Sequence, residues 1–180
     1  MEDRLVSWLM ADSLRFEALH LASELGLSDW CLAAGFVRNL VWDRLHGYRQ
    51  STPLDDIDLV YFDSHNPTSD RDRALEARLK ASSALPWSVK NQARMHLRNN
   101  DPAYSNTTEA MSYWVEIETA IGARLSADGR HIEFVAPFGL APLFAGTLTP
   151  NPKRPGRDAF MARVEGKSWL SKWPRLVLRT

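Results

Sequence analysis

The sequence predicts a mixed α/β layer fold. Three observations carry that expectation. Apolar residues recur at helical spacing in stretches that close on glycine, at Gly26 and Gly47. A strand-like run occupies 54–62, and further strand candidates follow at 86–89 and 131–135. Helical and strand segments alternate along the chain, and elements in that order bury their apolar faces by layering helices on a sheet. The chain has 180 residues, the length of a single domain. A chain of this size buries roughly 70% of its unfolded surface, so it needs neither disulfides nor metal to fold.

Each element follows from local chemistry. Leu5 and Leu9, then Phe16 and Leu19, give helical spacing over 3–26, with Asp12 or Ser13 as a cap for a second helix. Trp30 to Ala34 is an apolar run that meets Gly35. Residues 36–46 read as a helix ended by Gly47. Residues 54–62, Leu-Asp-Asp-Ile-Asp-Leu-Val-Tyr-Phe, form the clearest strand, stopped by Asp63, Ser64, Asn66 and Pro67. Residues 69–83 form a charged helix with Ala74, Leu75 and Leu79 inward. A helical turn at 91–98 leads into a polar loop at 99–108, and 109–125 reads as helix or strand. Pro137, Pro142, Pro150, Pro152 and Pro155 break the following segment. The closing residues, about 150–180, carry Trp169 and Trp173 and are expected to pack as a lid on the body.

Composition narrows the function classes. The hydrophobic fraction of 44% and charged fraction of 24% are those of a globular protein. The lone Cys31 sits in an apolar run and reads as a small buried hydrophobe. No stretch approaches the ~18 apolar residues of a membrane span. Met1-Glu2-Asp3-Arg4 does not open a signal peptide, so a cytoplasmic location is expected. Zero net charge argues against a protein built mainly to bind nucleic acid. The charge is uneven, however. Residues 153–180 hold eight basic side chains against two acidic ones, which leaves the rest of the chain acidic. Such a tail reads as a solvated face, as arginines lying over the acidic body, or as a patch for a polyanion.

The informative chemistry lies in the strand at 54–62. Side chains alternate along a strand, so Leu54, Asp56, Asp58, Val60 and Phe62 share one face. Asp56 and Asp58 stand side by side at its start, their Cα atoms about 6.5–7 Å apart from the strand rise. Two like charges that close beside a core are costly unless a cation lies between them. Magnesium binds through one or two carboxylates plus substrate phosphates, which suits this pair. About twenty residues upstream, Gly35 opens a helix bearing Arg38 and Asn39. A glycine lets a ligand approach the backbone. The free N–H groups and dipole of a helix start attract phosphate, and Arg38 adds a planar donor fork. The alternative for Arg38 is a structural ion pair with Glu24 or Asp43.

These blocks carry a resemblance. Ala34-Gly-Phe-Val-Arg-Asn39 followed by Asp55-Asp-Ile-Asp-Leu-Val60 resembles the signature of the polymerase-β-type nucleotidyltransferase superfamily. The Gly-x-Val-Arg-Asn form is similar to the head of tRNA CCA-adding enzymes. More narrowly, the chain resembles a small bacterial nucleotidyltransferase-like family over roughly 30–175. The blocks that match are 34–43, 56–63, 87–96, 119–122, 136–140 and Lys167-Ser-Trp169. The resemblance implies a nucleotidyltransferase fold, a short mixed β-sheet flanked by helices. It implies Mg²⁺, or Mn²⁺, on Asp56 and Asp58, with Gly35 and Arg38 holding the β- and γ-phosphates of a nucleoside triphosphate. It also implies a third carboxylate on a later strand, for which Glu116, Glu118 and Glu133 are candidates and strand alternation favours Glu133.

A second polar concentration runs from Lys90 to His96. Lys90 is a candidate to neutralise triphosphate, and Asn91 or Gln92 to read a base edge, against a hydrogen-bonded polar core that orders the next helix. His96 has no partners at zinc-ligand spacing. Trp42 reads as core or as a platform for a base. The leading expectation is a metal-dependent nucleotidyltransferase moving a nucleoside monophosphate to an acceptor that the sequence does not name, whether small molecule, RNA or protein. The rivals are a non-catalytic nucleotide-binding or regulatory module on the same fold and an RNA-binding protein using the basic tail.

Overall fold

The computed structural model describes residues 1–154 and 156–179; Pro155, one of the chain-breaking prolines, lies outside them. Helices α1 (Glu2–Ala11) and α2 (Ser13–Ser23) are separated by Asp12, whose carboxylate caps α2 through the Arg15 amide. Strand β1 (Trp30–Ala33) runs into α3 (Gly35–His46), which Gly47 ends in the left-handed region. Strand β2 (Ile57–Tyr61), α4 (Ser69–Ser82) and β3 (Trp87–Asn91) follow. Next come α5 (Met95–Asn99), α6 (Thr107–Met111), β4 (Gly122–Leu125) and β5 (Ile132–Val135). The chain closes with α7 (Ala141–Phe144), β6 (Thr147–Leu148), α8 (Arg157–Gly166), α9 (Trp169–Lys172) and β7 (Val177–Leu178).

The main sheet has the order β3-β2-β1-β4-β5. Strand β2 pairs parallel to β3 and antiparallel to β1, and β4 joins β1 and β5 in antiparallel pairing. It is therefore the expected short mixed sheet with helices packed on it. One face sends Ile57, Leu59, Tyr61, Leu32 and Val89 into the principal core with α1 to α4. The other face carries Cys31, Ala33 and Val60 into a smaller cluster with Met111 and Ala120. Successive residues of β2 face opposite layers and alternate ones share a layer, which places Asp58 with Val60 on the second face.

Two expectations change. The strand begins at Ile57 rather than Leu54, because its neighbours first pair with it at Trp87 and at Ala33, beside the turn into α3. Asp55 and Asp56 have no strand beside them and form the lead-in loop. Residues 109–125 resolve into the end of α6, a short 3₁₀ turn at Ile117–Thr119 and β4. Gly122 is required there: a Cβ would stand 2.4 Å from Cys31 Sγ. Cys31 is fully buried, and burial pushes its thiol pKa up, as a structural cysteine requires.

The closing segment packs as a lid. Trp42, fully buried on α3, meets Trp169 and Trp173 edge to face at ring distances of 5.9 and 5.1 Å. Trp42 is core. Much of the basic charge lies over the acidic body, with Arg154 against Asp101, Arg163 against Glu116 and Lys172 near Asp55. Among the described residues, no helix is long and apolar enough to cross a membrane.

Candidate functional site

The site forms where β1 turns into α3 beside the start of β2. Asp58 is the first residue of β2 on the second face, flanked by Ala33 of β1 and Ser88 of β3. Ala34 makes the turn with φ 54° and ψ −121°, a left-handed backbone that side chains rarely adopt. That bend aims the first turn of α3 at the aspartates. A Cβ on Gly35 would lie 3.4 Å from Asn39 Nδ2 and 3.5 Å from an Arg38 nitrogen, filling the floor of the space above them. The space is a cavity of about 200 Å³. Gly35, Arg38, Asn39, Asp56 and Asp58 line one side, and Arg163, Lys167 and Lys172 line the other.

Burial is the main force on Asp58. It raises the carboxyl pKa to about 6, and the nearby Asp56 charge adds to the rise against the pull of Ser88, Lys167 and Arg38. Arg38 is only 6% exposed. It donates from Nη1 to Thr119 Oγ1 at 2.8 Å and from Nη2 to Asn39 Oδ1 at 3.0 Å. Its Cζ lies 4.9 Å from the Trp42 ring centre and 4.6 Å from that of Trp169. Burial lowers its pKa to about 10, with Glu116 acting in the opposite sense. It is ion-paired with neither Glu24 nor Asp43. Its Nε is buried without a hydrogen-bond partner.

One carboxylate ties two segments of this wall together. Asp43, 1% exposed near the end of α3, accepts from Thr52 N at 2.7 Å and Thr52 Oγ1 at 2.6 Å. It also accepts from Trp173 Nε1 at 2.7 Å. The loop that delivers Asp56 and the closing segment that delivers Lys167 and Lys172 are therefore fixed to the same group. Ser51 adds a hydrogen bond to Asp12 at 2.8 Å, and Tyr48 Oη donates to the Lys172 carbonyl at 2.6 Å.

A second cavity, of about 480 Å³, opens on the other side of Asp58 over β2 and β3. It shares Ala34, Asp58, Thr119 and Arg163 with the first. Lys90 lines this second cavity and not the first. Asn91 lines neither. Its Oδ1 accepts from Asp63 N and Ala93 N, and its Nδ2 donates to the carbonyls of Asp63 and Asn66, so the side chain staples the loop after β2 to the turn after β3. These bonds match the hydrogen-bonded polar core that the sequence also allowed for this segment.

The three candidate third carboxylates are each engaged with other groups. Glu133 lies on β5 at the far edge of the sheet and accepts from Arg124 Nε at 2.9 Å. Glu116 is buried and holds Arg163 in a two-pronged ion pair, at 2.5 and 3.3 Å. Glu118 accepts from the hydroxyls of Thr147 and Thr149 and from Thr149 N. None of the three lines either cavity. Among the described residues, no cluster of three or more His, Cys, Asp or Glu offers a closed metal cage. The residues that sequence reasoning missed are Arg163, Lys167 and Lys172. Their one local signal is the concentration of positive charge after residue 153.

A family model described as nucleotidyltransferase matches residues 20–178. The chain belongs to this nucleotidyltransferase family. Its fold is similar to a solved NMR structure described as revealing a CCA-adding enzyme head domain. The TM-score is 0.85 at 28% sequence identity, over 99% of this chain and 95% of that one. No curated protein matches the sequence. Family and fold together support a nucleotidyl-transfer function.

Proposed function

We propose that this protein transfers a nucleoside monophosphate from a nucleoside triphosphate to an acceptor hydroxyl, with Mg²⁺ or Mn²⁺ held by Asp56 and Asp58. The observation that carries the reading is one cavity lined by both aspartates, by the start of α3 at Gly35, and by Arg163, Lys167 and Lys172. The donor set fits a hard divalent cation. It offers carboxylate oxygens without histidine or thiolate, and it has too few ligands for a cage, as suits a cation completed by substrate phosphates. Such a cation, when bound, offsets charge on the phosphates and on the attacking and leaving oxygens.

The residues of the chain supply the rest. Gly35 and the exposed amides of α3 receive the triphosphate oxygens, and Lys167 and Lys172 neutralise them from the opposite wall. Arg38 keeps its two Nη groups on Thr119 and Asn39 and sets a fixed positive charge in the cavity wall. The acceptor oxygen bonds to the α-phosphorus as the bond from that phosphorus to its bridging oxygen breaks. Pyrophosphate leaves with that electron pair. The hydroxyl proton passes to an Asp58 carboxylate oxygen, since Asp58 is the carboxylate lining both cavities among the described residues.

The test is titration of each nucleoside triphosphate, with and without Mg²⁺, into the wild type and an Asp56→Asn/Asp58→Asn variant. Magnesium-dependent binding that disappears in the variant supports the reading; equal binding in both removes it. The second reading, a nucleotide-binding module without catalysis, is favoured by one observation. Glu116, Glu118 and Glu133 are all engaged elsewhere. It predicts the same binding with no pyrophosphate released for any acceptor.

A further inference from the structure

The second cavity has a composition that the triphosphate does not account for. Four cationic side chains line it, Lys90, Arg98, Arg154 and Arg163, and its one carboxylate is Asp58. Arg154 and Arg163 are neutralised by Asp101 and Glu116. Lys90 and Arg98 have no carboxylate within ion-pair distance among the described residues. Beside them the wall carries the aromatic side chains of Tyr113 and Trp114 and the thioether of Met95. The register explains the placement. Lys90 pairs with Val60 and Ser88 with Asp58 across β2 and β3, so Lys90 stands on the same face as Asp58, one step further along the sheet.

Transfer at the α-phosphorus constrains what may sit there. Attacking and leaving oxygens lie roughly in line on opposite sides of the phosphorus. With the leaving pyrophosphate in the first cavity, the acceptor approaches from the side where the second cavity meets Asp58. The volume, about 480 Å³, is in the range of small-molecule sites. The nucleoside half of the donor carries no charge of its own beyond the phosphates, so it leaves Lys90 and Arg98 without a partner. An anionic acceptor gives them one.

We propose that the second cavity is the acceptor site and that it takes a small phosphomonoester with a flat ring. Lys90 and Arg98 hold its phosphate, and Tyr113 and Trp114 face its ring. The acceptor role rests on the nucleotidyl-transfer reading, whereas the anion site stands on the cavity alone.

The experiment uses the full chain, labelled with ¹⁵N, and phenyl phosphate as the probe, with phenol and inorganic phosphate as controls. Phenyl phosphate is expected to shift the signals of Lys90, Arg98, Tyr113 and the Trp114 indole, and to bind more tightly than either control. The Lys90→Ala/Arg98→Ala variant loses more than about tenfold of that affinity, because two charge-assisted contacts go. Single Lys90→Gln and Arg98→Gln variants, at exposed positions, give intermediate losses. Lys167→Ala/Lys172→Ala leaves phenyl phosphate binding unchanged and weakens Mg²⁺-nucleotide binding instead. Unchanged affinity in Lys90→Ala/Arg98→Ala, or shifts confined to other residues, overturns the proposal. Loss of nucleotide binding in Lys90→Ala/Arg98→Ala, equal to that in Lys167→Ala/Lys172→Ala, also overturns it and gives the cavity to the donor nucleotide. If no nucleoside triphosphate binds anywhere, nucleotidyl transfer fails, and the phenyl phosphate result alone decides the anion site.

Discussion

Replacing Asp58 by Asn should stabilise the metal-free protein while removing its metal-dependent nucleotide binding. The carboxyl pKa rises from 3.8 in the unfolded chain to about 6 in the fold, chiefly through burial and secondarily through Asp56. A group with a raised folded pKa favours folding when protonated. That contribution is fully present below about pH 4 and is lost as pH rises through about 6. The two-unit shift corresponds to about 3 kcal/mol between the ends of that window. Above it, ionised Asp58 opposes folding, and an asparagine of similar size does not. The variant should therefore melt roughly 4–8 °C above wild type at about pH 8, with about 2 kcal/mol surviving solvent screening. The gap should close as pH falls toward about 4.5. Thermal melts followed by circular dichroism across this range, in chelator, read the effect directly. A variant that melts lower than wild type at about pH 8, or a gap that ignores pH, would refute the account of Asp58 as a charge held at a cost for its ligand. Adding Mg²⁺ and nucleotide should then raise the wild-type melt and leave the variant where it was.

Three further substitutions test the supporting frame. Asp43→Ala removes the acceptor shared by Thr52 and Trp173 and should cost about 3 kcal/mol, seen as a lower urea midpoint together with faster proteolysis after residue 150. An intact closing segment in that variant would dissociate the two roles of Asp43. Ala34→Gly relieves a backbone strain of about 1–3 kcal/mol against an entropy loss of about 0.4–1, so its unfolding free energy should rise by about 1 kcal/mol, read as a higher urea midpoint. A fall would show that the turn is unstrained. Gly122→Ala drives a methyl into Cys31 Sγ and should lose about 1–3 kcal/mol, part of which returns in Gly122→Ala/Cys31→Ala. Additive losses in that double variant would exclude the clash as the cause.

The parts of the site that could be read in advance are those written in neighbouring residues. Gly35, Arg38, Asp56 and Asp58 fall within 24 positions and owe their arrangement to a strand, a turn, a helix start and a second strand. Asn91 defeats local reading because its four hydrogen bonds go to Asp63, Asn66 and Ala93, and only the closed loop brings those groups around it. Glu133 has the alternation of a strand, yet its strand sits three places from β2, an ordering that periodicity does not encode. Lys167 and Lys172 reach the aspartates through contacts of Trp42 with Trp169 and Trp173, more than 120 positions apart in the chain. Aromatic residues announce burial but not their partners.

The tryptophan clasp also sets an order of events. The first cavity is lined by residues from 34–58 and from 163–173, with Thr119 between them in the chain. During synthesis the aspartates and the start of α3 leave the ribosome long before the lysines that face them, and domains begin to fold from the N-terminal side. Closing so long a loop is slow, and its entropy is regained only when Trp169 and Trp173 dock on Trp42. The nascent chain can thus own the carboxylate pair before the cations that line the same cavity. On the proposed function, competence to hold substrate is then the last step of maturation, gated by three indoles.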